Sequence, residues 1–220
     1  MKDAEGCGRP LQAAPTFCIA EMKMPELCIA ILAGGKSRRM GFNKALIEID
    51  GRPVIQLLSE RARRLSDEVI VCSDEAASFG FLGLPAVGDA PPGHGPLGGL
   101  HSALLFTRRQ LVLLVACDLP RANERLWRDL LSFAADHDAV IPKTSDGLTH
   151  PLCALYRRTC LPSIERNISR NNNKVTDIFR GSRLKVRWLE GTEAHFHDSD
   201  FDNLNTPEDL SRFTAGPRQQ

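Results

Sequence analysis

The sequence predicts an open, mostly parallel α/β sheet, and three observations carry that reading. Leu27 to Leu32 is a continuous apolar run that stops at Gly34-Gly35, the pattern of a strand buried on both faces. Leu111 to Ala116 is a second such run, ended by Cys117-Asp118-Leu119-Pro120. Between and after them, strand-like segments alternate with amphipathic helical ones, which favours a parallel sheet with helices on its faces.

Taken in order, residues 1–24 show neither helical nor strand periodicity and contain Gly6, Gly8, Pro10 and Pro15. They read as a poorly ordered extension, and Met22-Lys23-Met24-Pro25 could serve as a start of its own. One domain is expected over 25–214, with a short tail over 215–220. After the first strand comes a glycine- and arginine-rich loop. Ala45 to Ile49 then reads as a short strand closed by an Asp50-Gly51 turn. Pro53 opens a helix to about Leu65, with Ile55, Leu58, Ala62 and Leu65 on one face. Glu68 to Cys72 is a strand. Pro91 to Gly99 reads as a Gly/Pro loop before a helix that runs through Leu104. Beyond the Leu111 strand, a helix is expected over about 123–135, then strands near 139–142, 151–156 and 185–189. Thr206-Pro207-Glu208-Asp209 is a helix start, with Thr as the cap, Pro at the first position and an acid at the third.

Composition excludes several functions. Lys plus Arg is 28 against 27 for Asp plus Glu, so no basic field exists to neutralise a run of nucleic-acid phosphates. Aromatic residues are only 6% of the chain, too few for a base-stacking platform. The cysteines number seven and none forms a C-x-x-C pair, which argues against a disulfide framework or structural zinc and for a reducing compartment. No apolar run reaches the 18 or so residues of a membrane span, and a cytoplasmic protein is expected.

In a sheet of this kind, ligands sit at the carboxyl ends of the strands. The loops after Leu32, after Val87 and after Ala116 should therefore share one crevice. Leu32 to Lys44 (LAGGKSRRMGFNK) combines glycines, which admit backbone amides close to an anion, with compensating Arg and Lys. It is not a Walker A loop, because position 30, where that motif needs glycine, is Ala30. Gly93 to Gly98 formally matches G-x-G-x-x-G, but Pro91-Pro92 separates it from any strand, so a dinucleotide fingerprint is disfavoured. A glycine-rich loop meeting a helix N-terminus still suits an anionic ligand. Asp118 could be a helix cap, yet its place opposite a phosphate-binding loop favours Mg²⁺, which is held by one or two carboxylates plus substrate phosphates. His195-x-His197-Asp198 reads as a solvated loop, not a metal site. Arg166 to Lys174 is either an exposed helix end or a contact for a second anionic substrate.

Together these segments resemble the nucleotidyltransferases of the molybdenum cofactor guanylyltransferase family. The resemblance lies in L-A-G-G-x-S-x-R-M-G-x-x-K-x-L at 32–46, G-P-L-x-G-L at 95–100, C-D-L-P at 117–120, P-L-C-A-L-Y at 151–156 and N-L-N-T-P-E-D-L at 203–210. It implies a Rossmann-like three-layer fold of nucleotidyltransferase type. It also implies transfer of GMP from GTP to molybdopterin with release of pyrophosphate, and Mg²⁺ as cofactor. On that pattern Leu32, Ala33, Gly34, Gly35, Asp89, Gly95, Pro96 and Leu97 contact GTP. Lys44, Asp118 and Arg39 (or Arg38) would be catalytic, the first two also contacting GTP. Asp118 and Asn205 would hold the metal with Asn203 nearby; Asn203 and Asn205, and on the basic-stretch reading Arg170 and Lys174, would meet the acceptor. Two positions depart from the family: Asn43 stands where Asp is frequent, and Cys72 where Asn is found. Gly35 favours guanylyl over cytidylyl relatives, which tend to carry Ala there. Cofactor-delivery or acceptor proteins are further candidate partners, and neither nucleic acid nor membrane is expected. The alternatives are a related transferase using CTP or another acceptor, and a non-catalytic nucleotide-binding module. Lys44, Asp118 and Asn205 together argue against the last.

Overall fold

A computed structural model of the protein describes residues 23–34, 43–205, 209, 210 and 213. Strand β1 (Leu27–Leu32) comes first. A turn at Lys44–Leu46 leads into a small hairpin of β2 (Glu48–Ile49) and β3 (Arg52–Pro53), then α1 (Val54–Leu65). Next come β4 (Glu68–Cys72), β5 (Ala86–Val87), α2 (Gly95–Phe106), β6 (Leu111–Ala116) and α3 (Glu124–Ser132). The described strands and helices close with β7 (Ala139–Lys143), β8 (Cys153–Arg157), α4 (Leu161–Ser169) and β9 (Val186–Glu190).

Seven strands form one sheet in the order β5-β4-β1-β6-β8-β7-β9. From β5 to β6 every neighbour is parallel, and β7 is parallel to β9. Only β8 runs against its neighbours β6 and β7. The mostly parallel sheet read from the sequence is therefore what forms. One geometric result decides the site: six strands end at one edge, and β8 begins there.

Period-two alternation in β1 builds the three layers. Leu27, Ile29 and Ile31 pack with Ile55 and Leu58 of α1 and Leu126 and Leu130 of α3. Cys28, Ala30 and Leu32 pack on the other face with Leu97 and Leu100 of α2 and Ile164 of α4. A strand with two buried faces has no use for polar residues, which explains its unbroken apolar run. The face of α1 read from the sequence (Ile55, Leu58, Ala62, Leu65) is wholly buried.

Differences from the sequence expectations are local. The segment expected as a strand from Ala45 is a single helical turn over Lys44–Leu46, and only Glu48–Ile49 is extended. The Asp50-Gly51 turn forms as expected, with φ of 51° and 72°, the pair of positive angles a tight hairpin needs. Helix α2 begins at Gly95, not after Gly99: Pro96 presets the first turn, and Gly98 and Gly99 lie inside the helix. Helix α4 supplies the exposed helix end that is one reading of Arg166 to Lys174, while its first turns from Leu161 carried no expectation. The five described cysteines are free thiols. The helix start expected at Thr206-Pro207-Glu208 lies outside the described residues, although Asp209 and Leu210 are helical.

Candidate active site

The strand ends at the carboxyl edge are tied to one another by backbone bonds that continue the sheet past its strands. Ala33 N donates to Cys72 O (3.0 Å), and Cys117 N donates to Leu32 O (3.0 Å). Ser73 N donates to Val87 O (2.9 Å). Leu32-Ala33-Gly34, Ser73-Asp74, Gly88-Asp89 and Cys117-Asp118 are thereby fixed side by side, so the crevice read from the sequence exists.

Three polar side chains converge on its β6 side. Lys44 sits on the turn after Asn43, whose side-chain oxygen caps that turn by accepting from Ala45 N (3.1 Å). An amide oxygen does here what a carboxylate would, so the departure at this position keeps the acceptor. Lys44 Nζ donates to Asn205 Oδ1 (2.7 Å). One residue earlier, Leu204 N donates to the main-chain oxygen of Asp118 (2.8 Å), which docks the 203–205 segment on the strand end. Burial raises the Asp118 carboxyl above the usual carboxylate range, and the Lys44 ammonium partly opposes it. Burial and the Asp118 charge push the neighbouring Cys117 thiol up to about 12, so it stays protonated and inert as a nucleophile.

This donor set fits a hard divalent cation. Asp118 brings a mostly buried carboxylate, and Asn205 brings a neutral oxygen beside the same lysine. Among the described residues no three His, Cys, Asp or Glu side chains cluster as a protein-only metal cage. A cation here would take most of its ligands from phosphate oxygens and water, the habit of Mg²⁺.

On the β5 side, α2 presents its N-terminal turn to Asp89. A Cβ on Gly98 would lie 3.0 Å from Asp89 Oδ2, and one on Gly99 only 2.5 Å from Leu32 Cδ2. Close approach rather than turn geometry favours glycine at both positions: a Cβ on Gly99 would displace Leu32, and one on Gly98 would push the Asp89 carboxylate back by a few tenths of an ångström. Burial, and then the nearby Asp74 carboxylate, raise the Asp89 carboxyl, while His94 pulls the other way. Among the described residues no N–H or O–H donates to that carboxyl. A half-buried acceptor without a donor faces the helix N-terminus where a ligand would lie.

The structure thus brings Leu32, Ala33, Gly34, Lys44, Asp89, Gly95, Pro96, Leu97, Asp118 and Asn205 to one edge. Asn203 is exposed beside them. Gly35 and Arg39 lie outside the described residues. Arg170 and Lys174 are exposed on the loop after α4, and it is Asn173 that reaches the glycine-rich turn, its Oδ1 2.7 Å from His94 Nδ1. His195 and His197 are exposed, as the solvated-loop reading expects. Sequence reasoning named none of His94, Asn173 and Asp74 individually. His94 lies in the glycine-rich segment and Asn173 in the 166–174 stretch that were singled out, and Asp74 follows a buried strand at the carboxyl edge much as Asp118 does.

A mostly parallel three-layer sheet that sets a lysine, a half-buried aspartate and a glycine-tight helix N-terminus around one crevice defines a nucleotidyltransferase. The model of the MobA-like NTP transferase domain matches residues 29–186. The chain is 33% identical over 190 residues to a probable molybdenum cofactor guanylyltransferase of Carboxydothermus hydrogenoformans, covering 86% of this chain and 95% of that one. It is 31% identical over 192 residues to the molybdenum cofactor guanylyltransferase of Desulfosudis oleivorans, covering 84% and 93%. The crystal structure of molybdopterin-guanine dinucleotide biosynthesis protein A from Archaeoglobus fulgidus superposes with a TM-score of 0.71 at 25% identity, over 84% of this chain and 96% of that chain. The protein belongs to the MobA-like NTP transferase family.

Proposed function

We propose that this protein transfers GMP from GTP to the terminal phosphate of molybdopterin, forming the guanine dinucleotide and releasing pyrophosphate. The observation that carries the reading is the convergence of Lys44, Asn205 and the Asp118 loop on one strand end, opposite the Asp89 shelf of α2. One wall suits a triphosphate and the other a nucleoside.

The reaction needs an acceptor phosphate oxygen to attack the α-phosphorus in line while the bond to the β-phosphate oxygen breaks. A phosphate monoester is already an anion near neutral pH, so no base has to be supplied. The chain's task is alignment and charge neutralisation. Lys44 places its ammonium against the triphosphate, held in position by Asn205. The N-terminal turn of α2 offers free backbone N–H groups to the nucleotide. Asp89 accepts hydrogen bonds from guanosine. Asp118 and Asn205 would hold Mg²⁺, which supplies neutralisation of the charge that builds on the phosphates. Arg39 adds charge from the glycine- and arginine-rich loop, and Asn203, Arg170 and Lys174 meet the acceptor. Residues 25–214 form one catalytic unit working in the cytoplasm; no helix among the described residues is long and apolar enough to cross a membrane.

The test is pyrophosphate release from each of the four ribonucleoside triphosphates with Mg²⁺, with and without molybdopterin. Release that requires both GTP and molybdopterin is expected. Preference for CTP would keep the mechanism and overturn the guanylyl assignment, and GTP turnover with a different acceptor would overturn the molybdopterin assignment.

A further inference from the structure

The Asp89-Ala90 dipeptide follows an edge strand of two residues, so little of its backbone can be held by the sheet. Side chains hold it instead. Asp89 N donates to Asp74 Oδ1 (2.9 Å), and Ala90 N donates to Ser102 Oγ (2.8 Å). Ala90 O accepts from His101 Nδ1 at 2.5 Å. A carbonyl can only accept, so Nδ1 carries the proton in this contact, leaving Nε2 to face Glu165 Oε1 of α4 at 3.7 Å. His101 and Ser102 are buried at 7% and 3% exposure, in the third turn of the helix whose first turn abuts the Asp89 carboxyl. Asp74 reaches the same dipeptide from the end of β4. Its Oδ1 also lies 3.2 Å from where a Cβ on Gly88 would stand, so that glycine lets it come close.

We propose that Asp74, His101 and Ser102 are positioning residues that aim the Asp89 carboxylate at hydrogen-bond donors of guanosine, so that α2 and the Asp89 loop bind the nucleotide as one rigid body. This rests on the GTP reading above and goes beyond it by saying what sets the affinity. The two N–H groups and one carbonyl of the dipeptide are fixed from two different elements, β4 and α2. With all three fixed, the Cα–Cβ bond of Asp89 is directed toward the shelf that Gly98 leaves open. The donors it meets are either guanine N–H groups or ribose hydroxyls. Both belong to the nucleoside, so losing the aim weakens GTP binding in the ground state and the transition state alike.

The experiment measures GTP affinity by equilibrium dialysis, and KM and kcat by pyrophosphate release, for wild type, Ser102→Ala, Asp74→Ala and Asp74→Asn. Removing the acceptor of the part-buried hydrogen bond in Ser102→Ala is expected to weaken GTP binding and raise its KM about tenfold, and removing the exposed one in Asp74→Ala about threefold, with kcat changed less than about twofold in both. Asp74→Asn keeps the acceptor oxygen and is expected to recover most of the affinity that Asp74→Ala loses. Parallel titrations with ITP and 2′-deoxyGTP separate the two donor sources, since the alanine variants lose their preference for GTP only over the analogue that lacks the donor Asp89 meets. Unchanged GTP affinity in both folded alanine variants overturns the proposal. So does a loss confined to kcat or to melting temperature, which a merely structural role would give. Dialysis needs no acceptor, so a wild type that binds GTP but does not transfer it refutes the proposed function while this test still runs.

Discussion

Replacing Gly99 by alanine puts a methyl carbon 2.5 Å from Leu32 Cδ2 and 3.6 Å from Cys72 Cβ. Carbon atoms pack at about 3.5–4.0 Å, so Leu32 or the helix must retreat by about 1 Å. Neither can do so freely. Leu32 is 7% exposed at the end of a strand paired on both sides, and α2 is buried along Leu97, Leu100, Ala103 and Leu104. Overpacking of this kind costs about 1–3 kcal/mol, and alanine's better helix propensity returns about 1 kcal/mol. The expected net loss is at most about 2 kcal/mol, a fall in Tm of up to about 8 °C for a chain of this length. Urea unfolding followed by circular dichroism measures it, with Gly80→Ala as control because nothing lies within 4 Å of a Cβ there. Leu32→Ala removes the clashing atom, so the double variant should be more stable than the sum of the two single losses implies. If the two losses simply added, Leu32 would not be fixed against α2 and the packing argument for this glycine would fail.

Two further outcomes follow from the carboxylates. Burial raises the Asp118 carboxyl, so the folded state takes up its proton at a higher pH than the unfolded chain does and is penalised once the group ionises. Asp118→Asn should therefore resist urea better than wild type at pH 7, the gap closing as pH falls below the ordinary carboxylate value, while turnover drops at least about 10²-fold. A less stable or a fully active variant would refute this. Asp89 is raised first by burial and then by Asp74. If its carboxylate accepts from GTP, affinity must fall with pH above the usual aspartate range, and Asp74→Asn must move that fall to lower pH. Dialysis across mildly acidic pH checks both, and a flat profile would remove Asp89 from the contact.

The parts of the fold legible in the sequence are those where one residue type meets one environment. β1 and β6 are buried on both faces, so their apolar runs are continuous, and Asp118 stands out because it breaks such a run at a strand end. α2 was placed late because Gly98-Gly99 speak against a helix by propensity. The close approach of Asp89 and Leu32 outweighs that preference, and no local pattern announces it. α4 does carry Leu161, Ile164 and Ile168 at helical spacing, but the arginines and asparagines around them masked the stripe. In the site, the family motifs named Lys44, Asp118 and Asn205, whereas their mutual geometry is a product of topology. The side chains that hold the Asp89-Ala90 dipeptide come from 15 and 12 residues away from the backbone groups they meet, through different elements, and spacing alone cannot reveal that.

The contact between Lys44 and Asn205 joins residues 161 positions apart. Because synthesis runs in one direction, the lysine leaves the ribosome long before its partner exists. A nascent chain halted between Ala116 and Leu204 already contains β1, β4 and β6, which pair with one another, yet it lacks the amide that orients the lysine and the Leu204 bond that docks this segment on the Asp118 loop. The order of appearance along the chain thus separates acquiring the scaffold from acquiring the site, and an interrupted product would be folded in part but not armed.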